Sequence, residues 1–371
     1  MAIPYDDRLE VVRASHGRNR ARRGLLLSAA VGLLVGATAC DGGDSGWKAP
    51  GKGQAAVLLD PGHSGALDLQ GGGELEGLTI AEDGTVDVLR SGIQKIKSDR
   101  TVESLRPELT NGSSGLVALP DGSLVFGKDH AVHKVDRNQQ VGILAGVPGK
   151  ERSSTAQAPK SAVAAGFRFG DYDVAPLGVR ADGSLILLDG DVVWALANGR
   201  LTRVYEVPAA DRKARELDGY PKAAVDGKGT VYVTSGPRGS SARFSNIADI
   251  VAIRTDGTAA PVAVPQSVAG VKGKPGDLTV NSFTGDGADG IYVNAYGADG
   301  EYILHLHAGR ADLVARSLFR QRTSKSAGVC PLKRAVDAEK LTFDLAYTVA
   351  YGDGKLILGG NTEYLLQIGI K

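Results

Sequence analysis

The chain has few cysteines, few aromatic residues and almost no net charge, and each shortage excludes a class of protein. Two cysteines among 371 residues cannot form a disulfide-rich scaffold. The 43 lysines and arginines balance the 42 aspartates and glutamates, so the composition does not indicate a nucleic-acid partner. The apolar run at 24–39 is short and contains glycine, which argues against a membrane-spanning helix.

Glycine, by contrast, is abundant at 51 residues, which is about twice its usual share of roughly 7%. It is scattered without a three-residue period, which excludes a collagen helix. A hydrophobic content of 42% is enough for a real core and excludes global disorder. Frequent glycine with few helix signals therefore predicts many tight turns between short strands.

Residues 1–39 have the layout of a bacterial signal peptide, with a basic stretch, an apolar run and then small residues. Arg22 and Arg23, followed by an apolar pair, resemble the twin-arginine export motif. The stretch that ends at Cys40 resembles a lipobox, whose cysteine is diacylated and becomes the new N-terminus. An ordinary signal peptide cleaved before an unmodified Cys40 is the alternative. We expect the lipoprotein, anchored on the outer face of the bacterial cytoplasmic membrane through a flexible tether at 40–53.

One pattern returns six times in the remaining chain: an apolar alternating run, a short glycine-containing turn and a second apolar run. Its copies lie at 77–89, 115–127, 177–189, 223–235, 278–295 and 347–360. Four copies carry Asp-Gly in the turn, at Asp83-Gly84, Asp121-Gly122, Asp182-Gly183 and Asp353-Gly354. Asp-Gly between alternating apolar strands predicts a type I′ hairpin turn, in which both central residues have positive φ.

A strand–turn–strand pattern follows each hairpin, at 91–105, 130–144, 191–205, 248–264 and 301–317. The sixth copy stops at Lys371 with its last strand missing, and the apolar run at 54–59 can supply that strand. Four strands repeated six times predict an all-β fold, a six-bladed β-propeller of four-stranded blades over residues 54–371. An N-terminal strand completes its last blade, and we expect the propeller to be a monomer.

Three stretches resemble the NHL-repeat propellers. The stretch from Gly142 to Gly146 looks like the strand that ends in a V-A-G-like triplet in that family. Pro176 to Leu185 looks like the apolar strand and hairpin, and Asp129 to Val135 looks like the strand that follows. Sugar-dehydrogenase and lactonase propellers share the same hairpin pattern. The resemblance implies a propeller that recognises proteins, nucleic acids or glycans, while a minority of the family are enzymes, including metal-dependent lyases.

Residues at or near the start of each inner strand can surround one mouth of the central channel. The acidic ones among them are Glu76, Asp173, Asp277 and Asp344. Several carboxylates at one mouth could hold Ca²⁺, which prefers oxygen ligands, or they could cap turns and remain solvated. We therefore regard these four residues as a candidate ligand-binding site, and no other cofactor is predicted.

Two histidines and a basic insertion are the other candidates. His305 and His307 alternate along one strand and so face one side, which would suit a metal ion. The third strand of a blade lies away from the channel, however, so packing at the surface or between blades is the favoured interpretation. The insertion at 316–342 is a candidate surface for an anionic partner, or else a solvated loop. Its basic residues include Arg320, Arg322, Lys325, Lys333 and Arg334.

Two functions follow from these observations. The first is an extracytoplasmic binding module that holds a protein, a glycan or a small ligand. The second is a propeller enzyme of the lactonase, lyase or sugar-dehydrogenase type, with a metal ion or a quinone at the channel mouth. The first is favoured, because no dense set of histidine, glutamate and asparagine recurs at the inner-strand starts, as an enzyme site there would require.

Overall fold

A computed structural model describes residues 47–60, 75–90, 92–106, 113–152, 157–170, 174–208, 222–234, 244–318, 332, 334–342, 345, 348–360 and 364–371. The chain divides into two compact units, Met1–Thr38 and Ala39–Lys371, and all of the described residues belong to the second. None of the helices among these residues is long and apolar enough to cross a membrane.

The second unit is a six-bladed β-propeller, which confirms the prediction from the repeats. Each blade contains four antiparallel strands, and in the first five blades these strands follow one another along the chain. The inner strands contact one another in order, and the inner strand of blade 6 contacts that of blade 1, which closes the ring. Within the described residues the only helices are single 3-10 turns, at Ile247–Asp249, Pro275–Asp277 and Ala338–Lys340.

The strands are short, as the close spacing of turn residues predicts. From the inner to the outer strand, blade 1 comprises Gly77–Ile80, Val86–Leu89, Ile93–Ile96 and Val102–Arg106. Blade 2 comprises Ser113–Ala118, Leu124–Lys128, Ala131–Val135 and Val141–Gly146. Blade 3 comprises Ala175–Val179, Leu185–Asp189, Val192–Ala197 and Arg200–Glu206.

The second half of the ring continues in the same manner. Blade 4 comprises Ala223–Val225, Val231–Thr234, Ile250–Ile253 and Ala259–Pro261. Blade 5 comprises Thr279–Gly285, Gly290–Tyr296, Gly300–His307 and Arg310–Leu318. Blade 6 comprises Thr348–Gly352, Lys355–Gly359, Leu365–Gly369 and, as its outer strand, Gln54–Leu59.

Blade 6 joins the two ends of the propeller. Its outer strand pairs antiparallel with the C-terminal strand, with Ala55 opposite Ile368 and Val57 opposite Leu366. This outer strand is buried along almost its whole length. The carbonyl oxygen of Leu58 also accepts a 2.8 Å hydrogen bond from Nε of Arg100 in blade 1. The predicted completion of the last blade by an N-terminal strand is therefore confirmed.

Two short strands that the repeat pattern does not predict extend the outer edges of two blades. Ser161–Val163 pairs with the outer strand of blade 3, and Val336–Asp337 pairs with Gln54–Leu59 of blade 6. Both come from segments that the pattern assigns to connections between blades. They cover backbone groups that an edge strand would otherwise offer to another chain.

The prediction of type I′ turns is wrong for three of the four Asp-Gly copies. Asp353 and Gly354 do have positive φ, 48° and 69°, as a type I′ turn requires. In the other three copies only the glycine has positive φ, between 76° and 80°. These are three-residue loops, in which a type I turn is followed by a left-handed glycine. The aspartate carboxylate stabilises the loop by accepting a backbone hydrogen bond, as Asp83 does from Thr85 at 3.0 Å.

The described part of the predicted tether, residues 47–53, lies against the propeller. Nε1 of Trp47 donates a 3.1 Å hydrogen bond to the carbonyl oxygen of Val57. The guanidinium carbon of Arg100 lies 5.3 Å from the centroid of the Trp47 ring. The backbone N–H of Gly53 donates a 2.9 Å hydrogen bond to the carbonyl oxygen of Gly369. The indole ring packs on the junction of blades 6 and 1. Residues 47–53 are therefore part of the folded propeller.

The hydrophobic core lies between neighbouring blades, where apolar side chains of facing sheets meet. Phe126 of blade 2 and Trp194 of blade 3 are fully buried there. Backbone contact fixes the spacing of these two blades: a Cβ atom added to Gly127 would lie 1.5 Å from the carbonyl oxygen of Val174. Any side chain at position 127 would therefore force blades 2 and 3 apart.

We expect deletion of residues 54–60 to unfold the propeller or to lower its melting temperature strongly. The deletion exposes the facing strand of blade 6 and removes the burial of several apolar side chains, a loss on the order of 5–10 kcal/mol. That loss is comparable to the total stability of a typical domain. Thermal melts of this variant and of a control lacking residues 41–46 measure the effect. Equal melting temperatures would show that the closing strand is dispensable.

Asp87 places a carboxylate in the buried interior of the propeller. Asp87 lies in the second strand of blade 1 and is 0% exposed, and among the described residues neither of its oxygens has a hydrogen-bond partner. Burial raises the pKa of Asp87 to about 6, although the positive charge of Lys95 opposes the rise. Nζ of Lys95 lies 3.8 Å from Oδ1, too far for a hydrogen bond.

We expect Asp87→Asn to stabilise the propeller at about pH 8 and to change little at about pH 4. The pKa of about 6 in the folded state exceeds the ordinary value of 3.8. The ionised carboxylate therefore destabilises the folded state at high pH. This penalty disappears as the pH falls from about 6 to 3.8. The shift corresponds to about 3 kcal/mol. Denaturant titrations at both pH values measure it, with Asp99→Asn in an exposed turn as control; an effect independent of pH would contradict the assignment.

Candidate functional site

The hairpin turns of the six blades surround an open cavity of about 1260 Å³ at one end of the central channel. Its wall consists of the ends of the inner strands and of the turns that follow them. Each blade thus contributes one short piece of chain, at 78–82, 116–120, 177–181, 225–227, 284–288 and 350–354. The cavity is larger than the roughly 300–1,000 Å³ of a usual small-molecule pocket.

Turn backbones, small residues and aliphatic side chains form much of the wall of this cavity. A few charged side chains of both signs are distributed around it: Glu82, Arg180, Asp226, Asp286, Asp353 and Lys371. Nε of Arg180 is held by a 2.9 Å hydrogen bond to the carbonyl oxygen of Gly229. Interspersed charges of both signs suit a polar ligand with many hydrogen-bonding groups better than a ligand of high net charge.

A row of four aromatic rings runs outwards from the cavity along blade 5. Tyr351, on the inner strand of blade 6, lies 5.0 Å from Tyr292, measured between ring centroids. Tyr292 stacks on His305 at 4.4 Å, and His305 stacks on His307, also at 4.4 Å. Strand register builds this row, because Thr284, Tyr292 and His305 are direct neighbours across three strands.

Asp286, in the turn after the inner strand of blade 5, holds the row at the cavity. Its Oδ2 lies 2.8 Å from Nε2 of His305, and its Oδ1 accepts backbone hydrogen bonds from Ala288 and Gly290. Burial alone raises the pKa of Asp286, but the hydrogen bonds from His305 and from the two N–H groups outweigh burial and hold the pKa below its usual value. An ionised carboxylate therefore fixes the orientation of the imidazole at the cavity wall.

Blade 4 has an equivalent aspartate and tyrosine but lacks the histidine. Asp226 and Tyr232 stand where blade 5 has Asp286 and Tyr292, and the hydroxyl of Tyr232 donates a 3.0 Å hydrogen bond to Asp226. Ala252 lies opposite Tyr232, at the position that His305 takes beside Tyr292. In blade 5 the imidazole accordingly replaces the tyrosine hydroxyl as the partner of the carboxylate. Burial raises the pKa of both tyrosines, so both hydroxyls stay protonated.

Two of the four acidic residues predicted at a channel mouth, Glu76 and Asp277, lie at the other end of the inner strands. Glu76 precedes the inner strand of blade 1, and its backbone N–H donates to the carbonyl oxygen of Leu89 at 2.9 Å. Asp277 is exposed at the end of the 3-10 turn before blade 5. Neither residue lines the cavity. Asp173 and Asp344 fall outside the described residues, so a Ca²⁺ site at that mouth stays a prediction.

The expectation that His305 lies away from the channel is wrong. The cavity extends along blade 5 as far as Tyr292 and His305, so the third strand of this blade reaches it. The alternation of His305 and His307 is visible in the sequence. How far the cavity extends between blades 5 and 6 depends on the distance between two sheets, which no sequence pattern specifies.

Several other predicted residues cannot be compared with the structure. Cys40, Arg22 and Arg23 fall outside the described residues, as do Arg320, Arg322, Lys325 and Lys333 of the basic insertion. Arg334, the remaining member of that group, is exposed. The lipid anchor, the export signal and the anionic partner therefore stay predictions.

The fold and the cavity define the chain as a six-bladed β-propeller with an open channel end. It is similar to a protein of unknown function from Bacteroides thetaiotaomicron, with a TM-score of 0.52, 12% identity, and coverage of 80% of this chain and 70% of that one. A gluconolactonase from Xanthomonas campestris is also similar, with a TM-score of 0.51, 16% identity, and coverage of 85% and 89%.

A virginiamycin B lyase from Staphylococcus aureus has a TM-score of 0.44 and 12% identity, with coverage of 84% of this chain and 98% of the lyase. No family model and no curated protein matches the chain. At such low identities the two similarities with TM-scores above 0.5 show the propeller fold alone.

Proposed function

We propose that the chain is an extracytoplasmic binding module that holds a polar ligand, of which a glycan fits best, in the cavity at the hairpin-turn end of the channel. The observation that carries this proposal is the cavity itself, about 1260 Å³ in volume and open to solvent. All six blades contribute to it, so its shape depends on the closed ring rather than on one mobile loop.

The chemistry of the wall supports a polar, uncharged ligand. Turn backbones offer N–H and C=O groups, and carboxylates and a guanidinium offer paired hydrogen-bonding atoms to hydroxyl groups. Tyr351 adds an aromatic face beside Asp353 at the cavity wall. Such a combination of a flat apolar face and convergent polar groups matches a sugar ring, which has hydroxyl groups at its edge and C–H bonds on its faces.

The second candidate function is a propeller enzyme of the lactonase, lyase or sugar-dehydrogenase type. The pair of His305 and Asp286 favours it, because an imidazole oriented by a carboxylate at a cavity wall is the usual form of a general base. The similarity to the propeller of a gluconolactonase is consistent with either candidate function.

The proposed location is the outer face of the cytoplasmic membrane. Arg22 and Arg23 would direct export, and a diacylated Cys40 would anchor the mature chain. Among the described residues, Trp47 contacts the propeller only seven positions after Cys40. The propeller would therefore be held close to the membrane surface.

Binding of the ligand can be tested with a glycan array and the mature chain carrying Cys40→Ser, which keeps it soluble. We expect Tyr351→Ala to weaken binding to the selected glycan by about tenfold, which corresponds to the loss of one stacking contact. Tyr296→Ala is the matched control. This tyrosine ends the second strand of blade 5 and, unlike Tyr292 in the same strand, does not line the cavity. Binding that both variants retain equally would place the ligand outside the cavity.

Mass spectrometry of the bound glycan separates the two functions. A glycan recovered unchanged supports the binding module. A glycan that is converted by the wild-type chain but not by His305→Gln supports the enzyme.

The lipid anchor can be tested with the two cysteines of the chain. We expect Cys40→Ser to move the protein from the membrane fraction to the soluble extracytoplasmic fraction, because the acyl chains that hold it are lost. Cys330→Ser is the control and should stay in the membrane fraction. Retention of the Cys40→Ser protein at the membrane would mean that another segment holds it there.

A further inference from the structure

We propose that His305, His307 and Asp312 bind a divalent transition-metal ion, such as Zn²⁺, at the outer end of the aromatic row of blade 5. The proposed site shares His305 with the wall of the cavity, but metal binding does not require a ligand beside Tyr351. It assigns a role to the two histidines that neither the fold nor the cavity alone explains.

Strand geometry brings the three side chains together. His305 and His307 alternate in the third strand and therefore project from the same face, and Asp312 lies opposite His305 in the outer strand. A tight turn at Ala308 and Gly309, with φ of 46° and 74°, joins the two strands. As a result, one ligand atom from each of the three side chains lies within 4.8 Å of the other two.

The distances are close to those of a bound ion. Nε2 of His307 lies 2.9 Å from Oδ2 of Asp312. Two ligand atoms that are each about 2.1 Å from a tetrahedral zinc ion are separated by about 3.4 Å. A metal ion can therefore replace the proton between these two atoms if they move apart by about 0.5 Å. The third ligand atom, from His305, lies within 4.8 Å of both.

The orientation of His305 is fixed before any ion binds. Asp286, whose side chain is 5% exposed, lies 2.8 Å from its Nε2, and the imidazole is stacked between Tyr292 and His307. Metal-binding histidines usually have such a carboxylate on the ring nitrogen that does not bind the ion. There it orients the ring and raises its basicity. Asp286 is thus a positioning residue of the proposed site.

The donor set indicates the class of ion. Two imidazoles and one carboxylate suit Zn²⁺, Ni²⁺ or Cu²⁺, whereas Ca²⁺ and Mg²⁺ prefer oxygen ligands alone. Asp286 and Asp312 supply two negative charges that balance a dication. Three protein ligands leave a coordination position open, and the side chains of His305 and His307 are 22% and 28% exposed, so solvent can reach it.

Calorimetric titration of the chelator-treated mature chain, carrying Cys40→Ser, with zinc chloride tests the proposal. We expect one ion to bind per chain at this site, with affinity lowered strongly by His307→Ala and by Asp312→Asn. Asp286→Asn should weaken binding by about 10- to 100-fold without abolishing it, as expected for a positioning residue. Excess Mg²⁺ should not compete.

His133→Ala is the matched control, since this half-buried histidine also lies in the third strand of a blade and stacks on an aromatic ring, that of Phe126. It should bind the ion as the wild type does. Asp312 is exposed, so Asp312→Asn remains informative if the histidine variants fail to fold.

Co²⁺ loading provides a second readout, because a tetrahedral site gives intense visible absorption that the His307→Ala variant should lose. The proposal would be overturned if the wild type failed to bind zinc, or if His307→Ala and Asp312→Asn bound zinc as tightly as the wild type. Glycan binding is measured independently of zinc binding. If Tyr351→Ala loses glycan binding but still binds zinc, the result bears on the function proposed above and not on the metal site.

Discussion

The closure of the ring is the constraint on which the rest of this structure depends. A four-stranded blade has two faces, and an apolar face is stable only when a neighbouring sheet covers it. Six blades satisfy this requirement only if the last one meets the first, and here that contact relies on Gln54–Leu59 beside the C-terminal strand. The cavity follows from the same closure, because its wall is assembled from one turn of each blade.

Repetition makes the exceptions in the ring informative. Blade 4 and blade 5 share an aspartate after the inner strand and a tyrosine six positions later, yet only one of these two blades adds a histidine beside the tyrosine. That single difference, Ala252 against His305, changes a closed hydrogen bond into an oriented imidazole that lines the cavity. The two proposed sites lie at the two ends of one row of rings, Tyr351 at the channel and His307 towards the outer edge.

Much of the fold could be predicted from the sequence, because the hairpin pattern is strong and local. The six blades, their four strands and the use of 54–59 as the closing strand follow from alternation, glycine position and the incomplete last copy. The turn type at Asp83 could not be predicted, since Asp-Gly is compatible with both a two-residue and a three-residue loop. The strands Ser161–Val163 and Val336–Asp337 are too short to show alternation, so only their partners reveal them.

The candidate site was harder to predict, because it depends on how far apart two sheets lie. His305 is close to the cavity only through the packing of blade 5 against blade 6. The buried Asp87 is likewise invisible in the sequence, where it appears in a strand as an ordinary polar residue. Glu76, in contrast, precedes an inner strand as the sequence predicts, but the cavity lies at the end where that strand finishes.

The order in which the chain is synthesised gives the closing strand a further significance. Gln54–Leu59 is made first among the strands of the propeller, and its partner Leu365–Gly369 is made last. Contacts between such distant segments form slowly, because the intervening chain must be ordered first. Until then the nascent chain carries an unpaired, apolar strand that can pair with another copy. A chaperone that covers the first strand until the last has emerged would therefore prevent such pairing most effectively.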